Sequence, residues 1–148
     1  MNSTFRVCEH FLIDSNISTH LISFEENEFH NHDFIEFTYV LQGTCEHNFN
    51  GTVSTIKPGE AFLLVPTDNH QYLKNYSDDF LHRDIIFTYD YFRDFCSAYS
   101  KTLYDDILNK KYSLHFTMDM NTISNIENII PNILFQLFLG FCLIEYWG

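Results

Sequence analysis

Three side chains on one short stretch set the chemistry this chain can do. His30, His32 and Glu36 occupy even positions of a run rich in Phe, Ile, Tyr, Thr and Val, and every second side chain of a β-strand points to the same face. A single strand over 30–42 would present the two imidazoles and the carboxylate together, with Phe34, Thr38 and Val40 beside them. Ile35, Phe37, Tyr39 and Leu41 would line the opposite face. A third imidazole, His70, opens a later predicted strand. Three imidazoles and one carboxylate suit a divalent first-row metal such as zinc, nickel, iron or manganese. The same groups can instead hydrogen-bond a polar small molecule inside a lined pocket. They can also be satisfied polar residues with no ligand at all. Residue type and spacing leave the three readings open.

The elements that must position these groups are strands and tight turns over the first 90 residues. Residues 21–24 form a short apolar run, and Gly43 ends the long strand. Residues 46–49 lead into Asn50-Gly51, a hairpin signal because both residue types tolerate positive φ, and 52–56 return as the partner strand. Lys57-Pro58-Gly59-Glu60 reads as a turn, followed by a compact apolar strand over 61–65 that Pro66 stops. One strand opens at His70 and another covers 84–88. From 91 to 108 the apolar residues Phe92, Phe95, Cys96, Tyr99, Leu103 and Ile107 recur at helical spacing, which predicts one or two helices. Residues 109–117 read as a polar link. A further helix carries the stripe Ile123, Ile126, Ile130 and Ile133, with Asn121 or Thr122 as its cap.

Composition bounds the function. The chain has 148 residues and a net charge of -12, with 8 Lys and Arg against 20 Asp and Glu, so it offers no electrostatic footprint for nucleic acid. Aromatic residues make up 18% of it, which favours a β-rich core. Cys8, Cys45, Cys96 and Cys142 are far apart with no metal-knuckle spacing, so buried free thiols in a reducing cytoplasm are expected. No signal peptide opens the chain. The apolar stretch 129–144 is interrupted by Pro131, Asn132, Gln136 and Gly140 and is short for a bilayer span, so no membrane association is expected. Phosphate loops, Ser-His-Asp orders and Cys-His nucleophile patterns are absent, which removes kinase, hydrolase and protease readings.

The spacing H-x-H-x3-E-x6-G resembles the first cupin motif. The second motif is partial: Gly59 and His70 match, but Val65 and Thr67 stand where it has Pro and Gly. The wider segment HNHDFIEFTYVLQGTCEHNFNGTVSTIKPGEAFLLVPTDNHQY resembles the N-terminal effector-binding domain of AraC-type transcriptional regulators, and Asp84-Ile85-Ile86-Phe87 resembles the strand before its helices. That resemblance implies a mainly β fold, a cupin (jelly-roll) barrel followed by C-terminal α-helices. It also implies a small effector, often a sugar, dimerisation through the helices, and DNA binding through a C-terminal helix-turn-helix part that this sequence lacks.

The expectation is therefore a cupin-like barrel over 1–90 and a truncated helical dimerisation segment over 91–148. It would act as the sensing module of an AraC-type regulator and not as an enzyme. The effector would be held by His30, His32, Glu36, His70, Tyr39 and Arg83. No cofactor is required, although His30, His32, Glu36 and His70 can take a divalent metal, and a small metal-dependent cupin enzyme (dioxygenase or sugar isomerase type) is the alternative. Arg83 is considered for an anionic effector and Tyr39 or Tyr72 for stacking on a sugar. His47, beside the hairpin, is expected in solvent, and His82-Arg83-Asp84 is expected as a surface ion pair.

Overall fold

Alternation of apolar and polar residues gives this chain two sheets with one face each to bury. In a computed structural model, residues 3–5 and 15–145 are described, with side chains described over 15–74 and 76–132. One sheet runs in the order β1 (Ser3–Phe5), β3 (His30–His32), β8 (His70–Asn75), β5 (Cys45–Phe49), β6 (Thr52–Ile56). The other runs β10 (His115–Thr117), β7 (Glu60–Leu64), β4 (Ile35–Gln42), β9 (Leu81–Phe87), β2 (Ile17–Ser23). Every pairing is antiparallel except that of β1 with β3. The mainly β expectation is met.

The single strand expected over 30–42 is two strands. A bend at Asp33-Phe34 passes the chain from one sheet to the other, so β3 and β4 lie in different sheets. Even positions nonetheless stay on the inner side in both. Between the sheets Val40, Cys45, Ile56, Phe62, Leu64, Tyr72 and Phe80 form one core cluster. On the outer face of the second sheet, Ile35 and Val65 pack with Phe92 and Cys96 of α1 (Tyr89–Tyr99), Ile107 of α2 (Leu103–Leu108) and Leu114.

Turn chemistry fixes the register. Asn50 and Gly51 both take positive φ (52° and 85°), and β5 pairs with β6 from Phe49 opposite Thr52. Gly43 has φ of +73°, and a Cβ there would lie 2.3 Å from Ser77 Oγ and 2.7 Å from Phe80 Cα. Only glycine lets β4 end against this segment.

By contacts the chain divides into a unit ending at Thr117 and one beginning at Met118. The division expected after residue 90 does not coincide with this one: α1, α2 and β10 belong with the strands. The second unit is α3 (Met120–Glu145), with Pro131 inside it and Ile123, Ile126 and Ile130 on its less exposed face. Among the described residues no helix is long and apolar enough to cross a membrane. Cys45 and Cys96 are buried free thiols, as expected, and burial pushes Cys45 up to about 12. Cys8, the Cys142 side chain and residues 146–148 of the apolar tail lie outside the described residues.

Candidate functional site

The inner faces of the two sheets enclose a cavity of about 590 Å³, within the range that holds small molecules. β3 supplies His30 and His32, β8 supplies His70 and Tyr72, β4 supplies Glu36, and β9 supplies His82, Asp84 and Ile86. Phe34, at the bend, stacks on His32 with ring centroids 4.6 Å apart. Residues of β2 and the following loop, among them His20, Glu25 and Asn27, complete the wall.

Strand register brings the imidazoles together. His30 pairs directly with His70 across β3 and β8, with ring centroids 4.4 Å apart. The ring nitrogens of His30, His32 and His70 lie within 4.8 Å of one another, and all three residues are buried. His30 Nδ1 lies 2.6 Å from the Glu28 carbonyl oxygen. A carbonyl only accepts, so Nδ1 carries the hydrogen and Nε2 of the neutral ring is left as a lone pair. His70 Nδ1 lies 3.1 Å from His47 Nε2, while His70 Nε2 and His47 Nδ1 are buried with no hydrogen-bond partner. The His47–His70 bond uses one hydrogen, so a second N–H of the pair is left buried without an acceptor.

The carboxylates stand on the opposite sheet. Glu36 Oε2 is 3.3 Å from His32 Nε2. Burial, and then the negative charge of Asp84, raise Glu36 well above the ordinary carboxylate range. Asp84 is largely buried too, which works in the same upward direction, yet the neighbouring His82 imidazole and a hydrogen bond from Thr38 outweigh it and hold Asp84 low. Its Oδ1 is 3.6 Å from His82 Nε2 and has no hydrogen-bond partner. Burial first, then neighbouring imidazoles, keep His70 well below the usual histidine value and lower His47 to about 3.

His30, His32, Glu36 and His70 thus converge, as the sequence suggested, but from three strands of two sheets. The imidazole triad, without Glu36, is the set with metal-ligand spacing. Three further expectations are corrected. Tyr39 and Arg83 pair with each other across β4 and β9 on the outward parity, and neither lines the cavity. Tyr39 is buried near Phe37, whose ring lies 5.4 Å away. His47 is fully buried, not in solvent, because β5 lies between β8 and β6 and turns this side chain onto His70. His82 and Asp84, read as surface, face the cavity. Alternation along β9 was the available signal: if Arg83 points out, its neighbours point in.

The residues fit a divalent metal in one respect: three nitrogens converge, His30 presents an unprotonated Nε2, and His70 Nε2 is unpartnered.

Residues 17–130 match the family model of the AraC-like ligand binding domain. Among solved structures the chain is similar to a ToxT variant from Vibrio cholerae strain SCE256, at 16% identity and a TM-score of 0.61, over 80% of this chain and 48% of that one. ToxT from Vibrio cholerae O395 bound to (E)-4-(8-methylnaphthalen-1-yl)but-3-enoic acid is similar at 13% identity and a TM-score of 0.56, over 80% of this chain and 49% of that one. A cupin from Shewanella frigidimarina matches at 19% identity and a TM-score of 0.42, over 51% of this chain and 71% of that one. The chain spans about half the length of the ToxT chains it matches. No curated protein matches it.

Proposed function

The chain belongs to the AraC-like ligand binding domain family, and we propose that it is the effector-sensing module of a cytoplasmic transcription regulator in which another part of the polypeptide reads DNA. The observation that carries this is the cavity of about 590 Å³ between the sheets, walled by convergent polar side chains from both. His30, His32, Glu36, His70, His82 and Asp84 contact the effector, a sugar or similar small metabolite, while Phe34 and Tyr72 supply flat apolar walls. Binding shifts the regulator only as far as the effector's affinity differs between its states. The module forms a homodimer. Exposed Tyr91, Phe95 and Tyr99 on one face of α1 support a partner surface.

Thermal-shift screening against sugars and related metabolites tests the reading. A stabilising ligand whose effect disappears in His30→Ala and Glu36→Ala is expected. If no compound raises the melting temperature, and the double variant is as stable as the parent, the cavity is not an effector site.

The converging nitrogens favour a second occupant. His30, His32 and His70 would hold a zinc, nickel, iron or manganese ion, which would act as a Lewis acid orienting a polar effector group. The His47–His70 bond gives its signature. Metal requires a lone pair on His70 Nε2, so Nδ1 carries the hydrogen, whereas a metal-free site leaves either tautomer open. Elemental analysis and ¹⁵N NMR of the ring nitrogens decide. Stoichiometric metal lost on His32→Ala, with turnover of a substrate, would replace sensing by catalysis.

A further inference from the structure

Asp84 is a largely buried carboxylate, its side chain 13% exposed, with one buried oxygen that the protein leaves without a donor. Oδ1 lacks a hydrogen-bond donor, and His82 Nε2, 3.6 Å away, is beyond hydrogen-bond distance. Leaving a buried acceptor unmade costs about 1–3 kcal/mol, and more when it is charged. In the same wall His82 Nδ1 and His70 Nε2 are also buried without partners, in side chains almost wholly buried. The orphaned atoms therefore cluster at the cavity and not across the fold at random.

The charge of the wall is one-sided. Glu25, Glu36 and Asp84 line it, and no described lining residue is Lys or Arg. The groups facing Asp84 are His82 on its own strand, His20 directly across on β2, and Thr38 directly across on β4, with Glu36 one inward position along. The whole chain adds its net charge of -12, a field that concentrates cations and repels anions. Phe34 and Tyr72 offer ring faces, which attract cations as well.

We propose that the effector carries a cationic nitrogen, an ammonium or guanidinium group, which seats on Asp84 at the β9 side of the cavity. The inference rests on the effector-pocket reading above and names the chemical class of its ligand. A neutral hydroxyl would also donate to Oδ1 but leave the negative charge uncompensated. A carboxylate would meet Asp84 with like charge. The expected order on any one skeleton is amine, then alcohol, then acid. His30, His32 and His70, at the other sheet, remain available to the rest of the molecule.

The test uses matched sets that differ only in this group: glucosamine, glucose and glucuronate; benzylamine, benzyl alcohol and benzoate; hexylamine, hexanol and hexanoate. Each is titrated into the full chain by calorimetry at low salt, alongside Asp84→Asn. The amine is expected to bind at least tenfold more tightly than its alcohol. Asp84→Asn should abolish that preference, bringing the affinity of the amine to within about threefold of that of its alcohol in the same variant. Circular dichroism shows that the variant is folded, and Asp84→Ser, which removes the same charge, serves if it is not. An alcohol or acid that binds best, or an amine preference that survives both substitutions, overturns the charge assignment and leaves the pocket intact. If no member of any set binds, the pocket reading fails and this inference with it.

Discussion

The space between the two sheets is dry at one end and polar at the other, although the same strands build both. On β4, Val40 sits in the apolar cluster while Glu36 faces the imidazoles; on β9, Ile86 and Asp84 share the cavity and Phe80, just before the strand, closes the core. At the dry end Cys45 and Leu64 are fully buried, with Ile56, Phe62 and Phe80 nearly so. At the polar end the equally buried His47, His70 and His82 keep orphaned nitrogens, and the largely buried Asp84 an unpartnered carboxylate oxygen. Close packing stabilises and unmet hydrogen bonds destabilise. The first end holds the fold together, and the second carries buried polar groups at a cost in stability.

Truncation at the dry end should have the largest effect. Leu64→Ala empties a fully buried site in the core cluster and is expected to cost about 2–5 kcal/mol, read as a fall in the urea midpoint at unchanged slope. A loss below about 1 kcal/mol would mean that this end is loosely packed and the contrast with the polar end is false.

Acid separates the ends next. The unfolded chain protonates its histidines near 6.5, whereas burial lowers His47 to about 3 and holds His70 well below 6.5. In the window from about 6.5 down towards 3 the unfolded state binds protons that the folded state refuses, so stability falls as pH falls. Glu36 opposes this: its carboxyl is raised, so its contribution grows as pH drops towards 4.5 and is lost as pH rises. Two imidazoles outweigh one carboxyl, and each unit of separation is about 1.4 kcal/mol. The melting temperature should therefore fall between pH 7 and pH 5, and His47→Phe should flatten that slope. A flat profile for the parent protein would show that the imidazoles protonate in place.

Much of this contrast was legible before any coordinates. The motif residues His30, His32, Glu36 and His70, the hairpin at Asn50-Gly51 and the strand end at Gly43 all follow from side-chain type and local backbone preference. What stayed hidden depends on register between strands far apart in sequence. Nothing near His47 shows that β5 will lie against β8, so a polar residue beside a turn was read as exposed. The bend at Asp33-Phe34 was hidden for the same reason, since parity continues across it. Tyr39 is different: its odd position already assigns it to the face away from His32, where a stacking role is out of reach.

Replacing the raised carboxyl at the polar end should change stability little. Glu36→Gln keeps the shape of a buried carboxyl that burial already disfavours as an anion. The unfolding free energy is expected to move by less than about 1 kcal/mol at pH 7, in contrast to Leu64→Ala. Effector affinity should fall at least tenfold in calorimetry. A large destabilisation with unchanged affinity would make Glu36 a structural partner of His32 and shift recognition to the other sheet.

The smallest effect is expected where sequence reasoning placed a ligand contact. His82, Arg83 and Asp84 are consecutive on β9, so pleating sends the first and third into the cavity and the second to the far face beside Tyr39. Arg83→Ala and Tyr39→Phe should leave effector affinity within about twofold, since neither side chain reaches the cavity wall and the screened effect of one surface charge is small. His82→Ala, one residue away, removes an imidazole from the wall and the neighbour that helps keep Asp84 charged, so its affinity loss should be several times larger. The substitutions at 82 and 83 compare adjacent positions of one strand that differ in face. Equal losses at 82 and 83 would mean that β9 contributes through its backbone or overall charge, and that the polar end is defined by the imidazole triad without it.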